Sequence, residues 1–471
     1  MPRTVGHVEE PVYFRVADDT THKRKTPVLW YKPGMATSGQ PTLVRAIGRW
    51  SLAALTINCI IASGIFGLPS VISGLVGTAS PFAWLFAAVA TALVMACFAE
   101  VSSRFDQTGG VYLYARTTFG QDTGITIAWL GWLARLTAGA ANANLVIEYL
   151  AKFWPRIQTA IPRILTLALL IGFLAIVNYV GVRRGSAQSN LFTVAKLLTL
   201  GLFILVGLFF LASHPLVISA PVGPPKRWLH PILLLMFAYG GYETALMPGG
   251  EAKDPRRDYP FALLTALLTC TFVYTMTQLI VISVLPQSVV TTRPMAAAAE
   301  VMVGPWGATL VSIGVLASCY GYLSANVLGF PRMLFAMAQH GDMPPTMARL
   351  HPRYRTPHLA IMLFAALLYL FSIAGSFQWN VFISAMSRLI YYGSVCVALP
   401  VLRRNPAVPP PRFRLPMGEF LAVLAVGTSL LLFPRLDRGG LLVLSVLAVG
   451  VILNSVWASR NRPTTAEKLE N

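Results

Sequence analysis

The sequence predicts an all-α membrane protein of about twelve transmembrane helices. Of the 471 residues, 55% are hydrophobic and 12% are charged, and the mean hydropathy is +0.62. A soluble domain of this composition would expose large apolar patches and aggregate. Apolar runs of about twenty residues, long enough to cross a bilayer, recur along the chain. We expect spans at 48–75, 79–102, 123–150, 162–181, 188–212, 229–250, 260–285, 306–338, 357–375, 380–402, 417–433 and 440–458.

The distribution of positive charge predicts the topology. The chain carries a net charge of +19. If the amino terminus lies inside the cell, most of the Lys and Arg residues outside the spans fall in inner segments, which is the usual bias of membrane proteins. We therefore expect a multi-pass protein of the cell membrane (plasma or inner membrane) with both termini cytoplasmic. In a soluble protein such a charge would point to nucleic acid, but here we expect no nucleic-acid partner.

Several classes of site have no signature in the sequence. The cysteines form no CxxC pair, and all of them lie inside predicted spans, which is typical of small core residues. The motifs H-E-x-x-H and G-x-x-x-x-G-K-[ST] are missing, so we expect no metal site and no ATP-driven step. We predict no cofactor and no enzymatic activity. The cysteines are Cys59, Cys97, Cys270, Cys319 and Cys396.

The chain divides into five predicted segments. Residues 1–46 form a basic cytoplasmic tail with too little apolar content to pack alone. Residues 47–212 and 228–402 each contain five spans, and residues 415–459 contain two accessory spans, eleven and twelve. Residues 460–471 form a second cytoplasmic tail. The accessory spans carry no charge at mid-membrane and are candidates for dimer contacts, so both a monomer and a homodimer stay open.

Two spans are interrupted by small residues. The first span carries "ASGIFGLP" at 62–69, and the sixth carries "FAYGGYETALMPGG" at 237–250. Each interruption opens a block of five spans, and matching interruptions of this kind predict an inverted repeat with its binding site at the breaks. The alternative is that the glycines only allow close helix packing.

A broken membrane helix offers unpaired backbone groups to a ligand. The half-helix that ends at a break presents carbonyls, and the half-helix that begins there presents amides, so a zwitterion finds a partner for each of its charges. We expect a carboxylate to bind near Ser63, Gly64 and Ile65, and an ammonium to bind at carbonyls near Ile60, Phe237, Ala238 and Gly240.

Three aromatic residues flank the second break. Phe237, Tyr239 and Tyr242 are candidates for a lid over the ligand or for stacking on a cation. For at least one of the three, we expect ordinary helix packing instead.

Four stretches of the sequence, taken in order, resemble the amino acid permeases of the amino acid–polyamine–organocation superfamily. They are "ASGIFGLP", "SSRFDQTGGVYLYARTTFG" (102–120), "FAYGGYET" and "GFPRMLFAMAQHGDMP" (329–344). The resemblance implies the LeuT-type fold, a five-plus-five inverted repeat with helices one and six broken. It also implies a secondary transporter that works by alternating access. The chain departs from the family pattern at Ala62, where a glycine is usual, and at Asp106 and Gln107, where a proline is common.

Lys196 lies in the middle of the fifth span, where a lysine facing lipid would cost about 2.5–3.5 kcal/mol. Lys196 is either a structural residue, buried against a carboxylate or carbonyls, or a group that couples transport to a cation. The resemblance implies that its ammonium stands in for a sodium ion, bridging the first helix, near Gly64 or in the turn before it, to the eighth helix near Ser318. Transport would then be independent of sodium, with a proton as the candidate coupling ion.

Glu243 follows the second break by two residues. It is a candidate proton shuttle, a partner for a cationic substrate, or a strut that holds the unwound segment. Arg135 and Arg388 also fall in mid-span but match no family motif, and we interpret them as structural.

These observations predict a permease that moves amino acids, with a small or neutral substrate favoured because no acid beyond Glu243 is placed to pair a cationic side chain. A carrier or exchanger of cationic amino acids or polyamines is the first alternative, with Glu243 facing the extra charge. The second alternative belongs to another class: a substrate-sensing receptor on the same scaffold that does not transport.

Overall fold

The computed structural model of the protein describes eight stretches, and these contain helices and no strand. The predicted tail at 1–46, residues 461–471, Asp106, Gln107 and the end of the second interruption (247–250) lie outside the described residues. The described stretches are 48–105, 109–180, 185–213, 224–246, 253–285, 291–339, 341–433 and 438–460.

Seventeen α-helices follow one another in these stretches. They are α1 (Arg49–Ile60), α2 (Ser63–Gly67), α3 (Pro69–Val76), α4 (Ser80–Ser102), α5 (Gly110–Phe119), α6 (Gln121–Leu150), α7 (Ala160–Val180), α8 (Gly185–Ser213), α9 (Lys226–Tyr239), α10 (Tyr242–Ala245), α11 (Pro255–Val284), α12 (Pro294–Val303), α13 (Pro305–Gln339), α14 (His358–Ala374), α15 (Phe377–Arg404), α16 (Gly418–Leu431) and α17 (Arg438–Arg460).

The first predicted span consists of three helices, α1, α2 and α3. The chain leaves α1 after Ile60 and runs extended through Ile61 and Ala62 before α2 begins. Ala62 has φ −137° and ψ −151°, a conformation that any L-residue adopts. The departure from the family glycine at this position therefore costs no backbone strain. Pro69 opens α3, where a proline's missing N–H removes no helical hydrogen bond.

The sixth predicted span breaks at its paired glycines. Gly240 is extended, and Gly241 has φ +123°, a conformation that is accessible in practice only to glycine. The helix resumes at Tyr242 as α10. Both interruptions that the sequence marks are thus real breaks in helical structure.

Several helices are long and apolar enough to cross a membrane, and the protein is a multi-pass integral membrane protein. Within the described residues there are six of these, and shorter apolar helices include α14 and α16. The long ones run over Pro69–Ser102, Ala160–Val180, Val194–Ala212, Arg256–Val284, Pro305–Gln339 and Phe377–Arg404.

Helix packing places α6 at the centre of the molecule, against α13, α14 and α15. The two broken helices pack on different partners: α1 lies against α11, and α9 lies against α4. A further closely packed pair is α8 with α13.

Two helices lie between the predicted spans and have no counterpart in the sequence prediction, α5 and α12. Helix α5 is tied to the segment after α13 through the buried carboxylate of Asp342. This carboxylate accepts hydrogen bonds from the Tyr112 hydroxyl, from Arg116 at 2.7 Å and from Gln121 at 2.7 Å. Burial, followed by the hydrogen bond to Asp342, raises the pKa of Tyr112, so the hydroxyl stays a donor at neutral pH.

Candidate functional site

The two helix breaks contact each other. A Cβ added to Gly64, in α2, would lie 2.7 Å from the Cβ of Ala238 in α9, closer than real side chains approach. Gly241 lies against the carbonyl oxygen of Cys59, near the end of α1. The absence of side chains at these glycines lets the two unwound segments cross at backbone distance.

The first turn of α2 lies at this crossing. Ser63, Gly64 and Ile65 are its first three residues, so their N–H groups have no acceptor within the helix. No side chain caps α2, and all three residues are fully buried. The Ser63 hydroxyl has no hydrogen-bond partner among the described residues. The three residues predicted to hold a carboxylate therefore lie together at the break.

Two of the carbonyls predicted to hold an ammonium also lie together. The Tyr274 hydroxyl, from α11, is 3.2 Å from the carbonyl oxygen of Ile60 and 3.2 Å from that of Ala238. One O–H group donates fully to one acceptor at a time, so the two carbonyls share a single hydrogen and one of them is left without a full hydrogen bond from Tyr274. Sequence reasoning missed Tyr274, which sits in an apolar span without a motif around it.

The aromatic residues at the second break divide between packing and the site. The Tyr239 hydroxyl donates to the carbonyl of Trp84 at 3.2 Å, and the Tyr242 ring packs edge-on against Phe98. Both therefore serve the interface with α4. Phe237 instead lies under the guanidinium of Arg388, whose central carbon is 5.7 Å from the ring centroid.

Lys196 reaches the first break from α8. Its ammonium donates to the carbonyl oxygens of Asn58 at 2.6 Å and of Ile61 at 2.7 Å. These carbonyls belong to the turn in which α1 ends, so a positive charge is held at the carboxyl end of a helix. Ser318, on α13, lines the same cavity as Lys196, and its hydroxyl has no hydrogen-bond partner in the described part of the chain.

Glu243, in α10, is the centre of a buried polar cluster. Its Oε1 accepts from Arg135 at 2.6 Å and from Tyr391 at 2.8 Å. Its Oε2 accepts from Tyr392 at 2.9 Å and from the amide of Gly241 at 2.8 Å. The carboxylate thus joins α6 and α15 to the broken helix and fixes the glycine turn. This geometry is that of a strut for the unwound segment.

Arg388, in α15, lies against the break. A Cβ on Gly240 would overlap the guanidinium of Arg388, so the guanidinium packs directly on the backbone of this glycine. The Nη1 of Arg388 is 3.8 Å from Oε1 of Glu243. Arg135 and Arg388, interpreted from the sequence as structural, thus both lie beside the second break.

A cavity of about 80 Å³ opens beside the crossing. Its lining carries Arg135 and Lys196 and no acidic side chain. The remaining lining residues are Asn58, Cys59, Phe192, Thr244, Ser318, Gly321, Tyr322, Ala325, Asn326 and Phe330. The described residues contain no group of His, Cys, Asp or Glu placed to hold a metal ion.

Comparison with known proteins identifies the family. The family model described as "Amino acid permease" matches residues 47–453. The chain belongs to the amino acid permease family. This confirms the resemblance seen in the sequence motifs: the permease is a secondary transporter and not an enzyme.

Curated relatives of the permease carry different substrate names. It is 26% identical to the serine/threonine exchanger SteT of Bacillus subtilis, over 82% of this chain and 90% of the relative. It is 24% identical to the branched-chain amino acid permease BcaP of the same organism, over 90% and 96%. It is 26% identical to the mouse cationic amino acid transporter 4, over 80% of this chain and 63% of the relative.

The predicted site residues of the permease do not all lie in one place: Glu243 belongs to the buried polar cluster, and Ser318 lines the cavity with Lys196. The residues predicted at the two breaks lie around the crossing, together with the predicted lysine. They are Ile60, Ser63, Gly64, Ile65, Phe237, Ala238, Gly240 and Lys196. The Tyr239 hydroxyl is directed to α4. Sequence reasoning missed the contribution of Tyr274, Tyr391 and Tyr392, and for these no signal is visible in the sequence.

Proposed function

We propose that the permease binds its amino acid where the two broken helices cross and releases it on either side by alternating access. The observation that carries this proposal is the backbone contact of the breaks, Gly64 with Ala238 and Gly241 with Cys59. A ligand held there touches both helices, so binding can bias their relative position. The α-carboxylate would take the amides of Ser63, Gly64 and Ile65.

The α-ammonium would bind the carbonyl oxygens of Ile60 and Ala238. Tyr274 now occupies these acceptors with a single hydroxyl hydrogen, whereas an ammonium brings three donors. Substrate binding would therefore displace the Tyr274 hydroxyl. A tyrosine that bridges α1 and α9 without substrate and releases them with it couples occupancy to helix movement.

We infer a fold of twelve spans with a five-plus-five inverted repeat. The packing supports it: when the span number of each partner in a packed pair is shifted by five, the result is another packed pair. The first span packs on the seventh and the sixth on the second, while the fifth packs on the eighth and the tenth on the third. Helices α16 and α17 would be accessory. Both termini would face the cytoplasm, as the charge bias predicts.

Lys196 would take the place of a coupling sodium ion. Its ammonium holds the carboxyl end of α1 through two carbonyl oxygens, which is where a bound cation would bring α1 and α8 together. Transport would then need no sodium. Loss of the Lys196 proton would free the end of α1, so a proton is the candidate coupling ion.

Among the alternatives, the geometry of Glu243 argues against a cationic amino acid or polyamine as substrate. Both oxygens of this carboxylate already accept two hydrogen bonds each from the protein. A cationic substrate would have to displace Arg135 from it. The zwitterionic head group of an α-amino acid needs no such exchange.

Counterflow in proteoliposomes tests the proposal. Vesicles loaded with an unlabelled amino acid mixture should accumulate labelled amino acids from outside, and the purified protein should melt at higher temperature with the same ligands. Uptake should be the same in sodium and choline buffers. Thermal stabilisation without counterflow would point to a substrate-sensing receptor, and the absence of both would contradict the proposed function.

A further inference from the structure

The buried charges around the helix crossing do not balance. Arg135, Lys196 and Arg388 are each at most 6% exposed, and Glu243 is 4% exposed. In the described part of the crossing, three cations therefore share one carboxylate. Buried charges in proteins are as a rule paired, because taking an ion out of water without a counterion is expensive.

Glu243 forms its close ion pair with Arg135. The two are 2.6 Å apart, whereas the closest approach of Arg388 to the same carboxylate is 3.8 Å. The remaining acceptor sites of Glu243 are used by Tyr391, Tyr392 and Gly241. Arg388 therefore lacks a close anion.

The other contacts of Arg388 are weak. Its Nη1 is 3.5 Å from the Tyr392 hydroxyl, and its ring contact with Phe237 is a cation–π interaction. The carboxyl end of α9 offsets part of the charge but supplies no full negative charge. The buried Nε of Arg388 has no hydrogen-bond partner among the described residues. A buried guanidinium with an unused N–H donor can pair with a carboxylate through two parallel hydrogen bonds.

The position of Arg388 relates this unused donor to the substrate. The guanidinium lies on Gly240, at the break of the sixth span, while the amides proposed for the α-carboxylate lie at the break of the first. A zwitterionic head group is neutral overall and leaves the excess positive charge in place. A substrate with a second carboxylate would neutralise it.

We propose that the permease recognises dicarboxylic amino acids and that Arg388 binds their side-chain carboxylate. This inference rests on the proposed function, since it places the head group at the helix breaks. The cavity beside the crossing adds to the positive charge near the site: among the described residues its lining includes Arg135 and Lys196 and no acid, while Arg388 lies outside this lining. Such a lining attracts anionic ligands.

Pairs of acid and amide of the same shape provide the test. Full-length protein in proteoliposomes is assayed for uptake of labelled L-aspartate against L-asparagine, and of L-glutamate against L-glutamine. We expect the acids to be taken up in preference to their amides. In Arg388→Gln, uptake of the acids should fall roughly 30-fold or more, as when one partner of a buried charged pair is lost. Arg388→Lys keeps the positive charge but loses the two parallel N–H donors of the guanidinium. This variant should retain part of the preference for acids.

Arg404→Gln is the matched control, because Arg404 lies on the same helix with its side chain 78% exposed. It should leave the preference unchanged.

If the wild type takes up the amides as well as the acids, the inference is wrong while amino acid transport stands. Preference for acids that survives in Arg388→Gln overturns the role of Arg388. Failure to take up any amino acid contradicts the proposed function instead. If Arg388→Gln does not fold, thermal stabilisation by aspartate and by asparagine is compared in the wild type and in Arg388→Lys, and an undiminished preference for aspartate in Arg388→Lys overturns the role of Arg388.

Discussion

Lys196 donates to the carbonyl oxygen of Ile61 at 2.7 Å, and Ile61 is the residue that directly follows α1. The same ammonium also binds the carbonyl oxygen of Asn58. One side chain of α8 thus partners two carbonyls that the broken helix itself cannot pair.

Replacing Lys196 by Met should therefore leave two buried acceptors without a donor. We expect the free energy of unfolding to fall by about 1–3 kcal/mol and uptake in proteoliposomes to be lost. The control is Lys152→Met, whose ion pair with Glu300 is solvent-accessible and should be worth about 0–1 kcal/mol. Equal stability of the two variants would mean that the Lys196 ammonium does not hold the end of α1.

Substitution of Glu243 by Gln should destabilise the permease more strongly. Arg135 and Arg388 would lose their shared counterion, and breaking a buried ion pair typically costs about 3–5 kcal/mol. Unfolding of the detergent-purified protein measures the effect. Glu419→Gln, which alters an exposed pair with Arg404 at 3.9 Å, should change stability little. A neutral result for Glu243→Gln would show that the cluster is not a strut.

The sequence predicts the breaks because small residues mark both of them. Gly241 adopts a conformation that is accessible in practice only to glycine, which is a local cause. Ser63 and Gly64 begin α2 directly after the first break, which itself lies at Ile61 and Ala62.

The charge cluster has no local cause. Arg135, Glu243 and Arg388 come from three helices far apart in the chain, and each one alone is an unexplained mid-span charge. Their pairing depends on how α6, α10 and α15 pack, which residue patterns do not specify.

The same reasoning applies to α5 and to Tyr274. Helix α5 lies outside the apolar runs that mark spans, and its position depends on contacts of Tyr112 and Arg116 with Asp342, more than 200 residues away in the chain. Tyr274 is one of several aromatic residues in apolar segments, and its role follows from the two carbonyls that happen to lie within reach of its hydroxyl.

Gly64→Leu tests the crossing of the breaks. Any side chain at Gly64 meets Ala238, so the first and sixth spans would be forced apart, and binding of amino acids should be abolished. Gly172→Leu is the control, because a Cβ at this position of α7 has nothing within 4 Å. Ligand-induced thermal shifts should persist in Gly172→Leu and vanish in Gly64→Leu. Unchanged shifts in Gly64→Leu would remove the basis for a site at the breaks.

Tyr274→Phe separates the stability of the empty permease from its affinity for substrate. Loss of the hydroxyl leaves the carbonyls of Ile60 and Ala238 without this donor, so the empty protein should lose about 1 kcal/mol of stability. An ammonium bound between these carbonyls would then replace the donor that they have lost, and it would displace no competing hydroxyl. We therefore expect a lower melting temperature without ligand and a larger ligand-induced increase than in the wild type.

Tyr369→Phe, which removes a hydroxyl 3.4 Å from the Ile164 carbonyl on the α7–α14 side, should leave the ligand-induced increase unchanged. A smaller increase in Tyr274→Phe would mean that the Tyr274 hydroxyl helps to bind the substrate and does not compete with its ammonium.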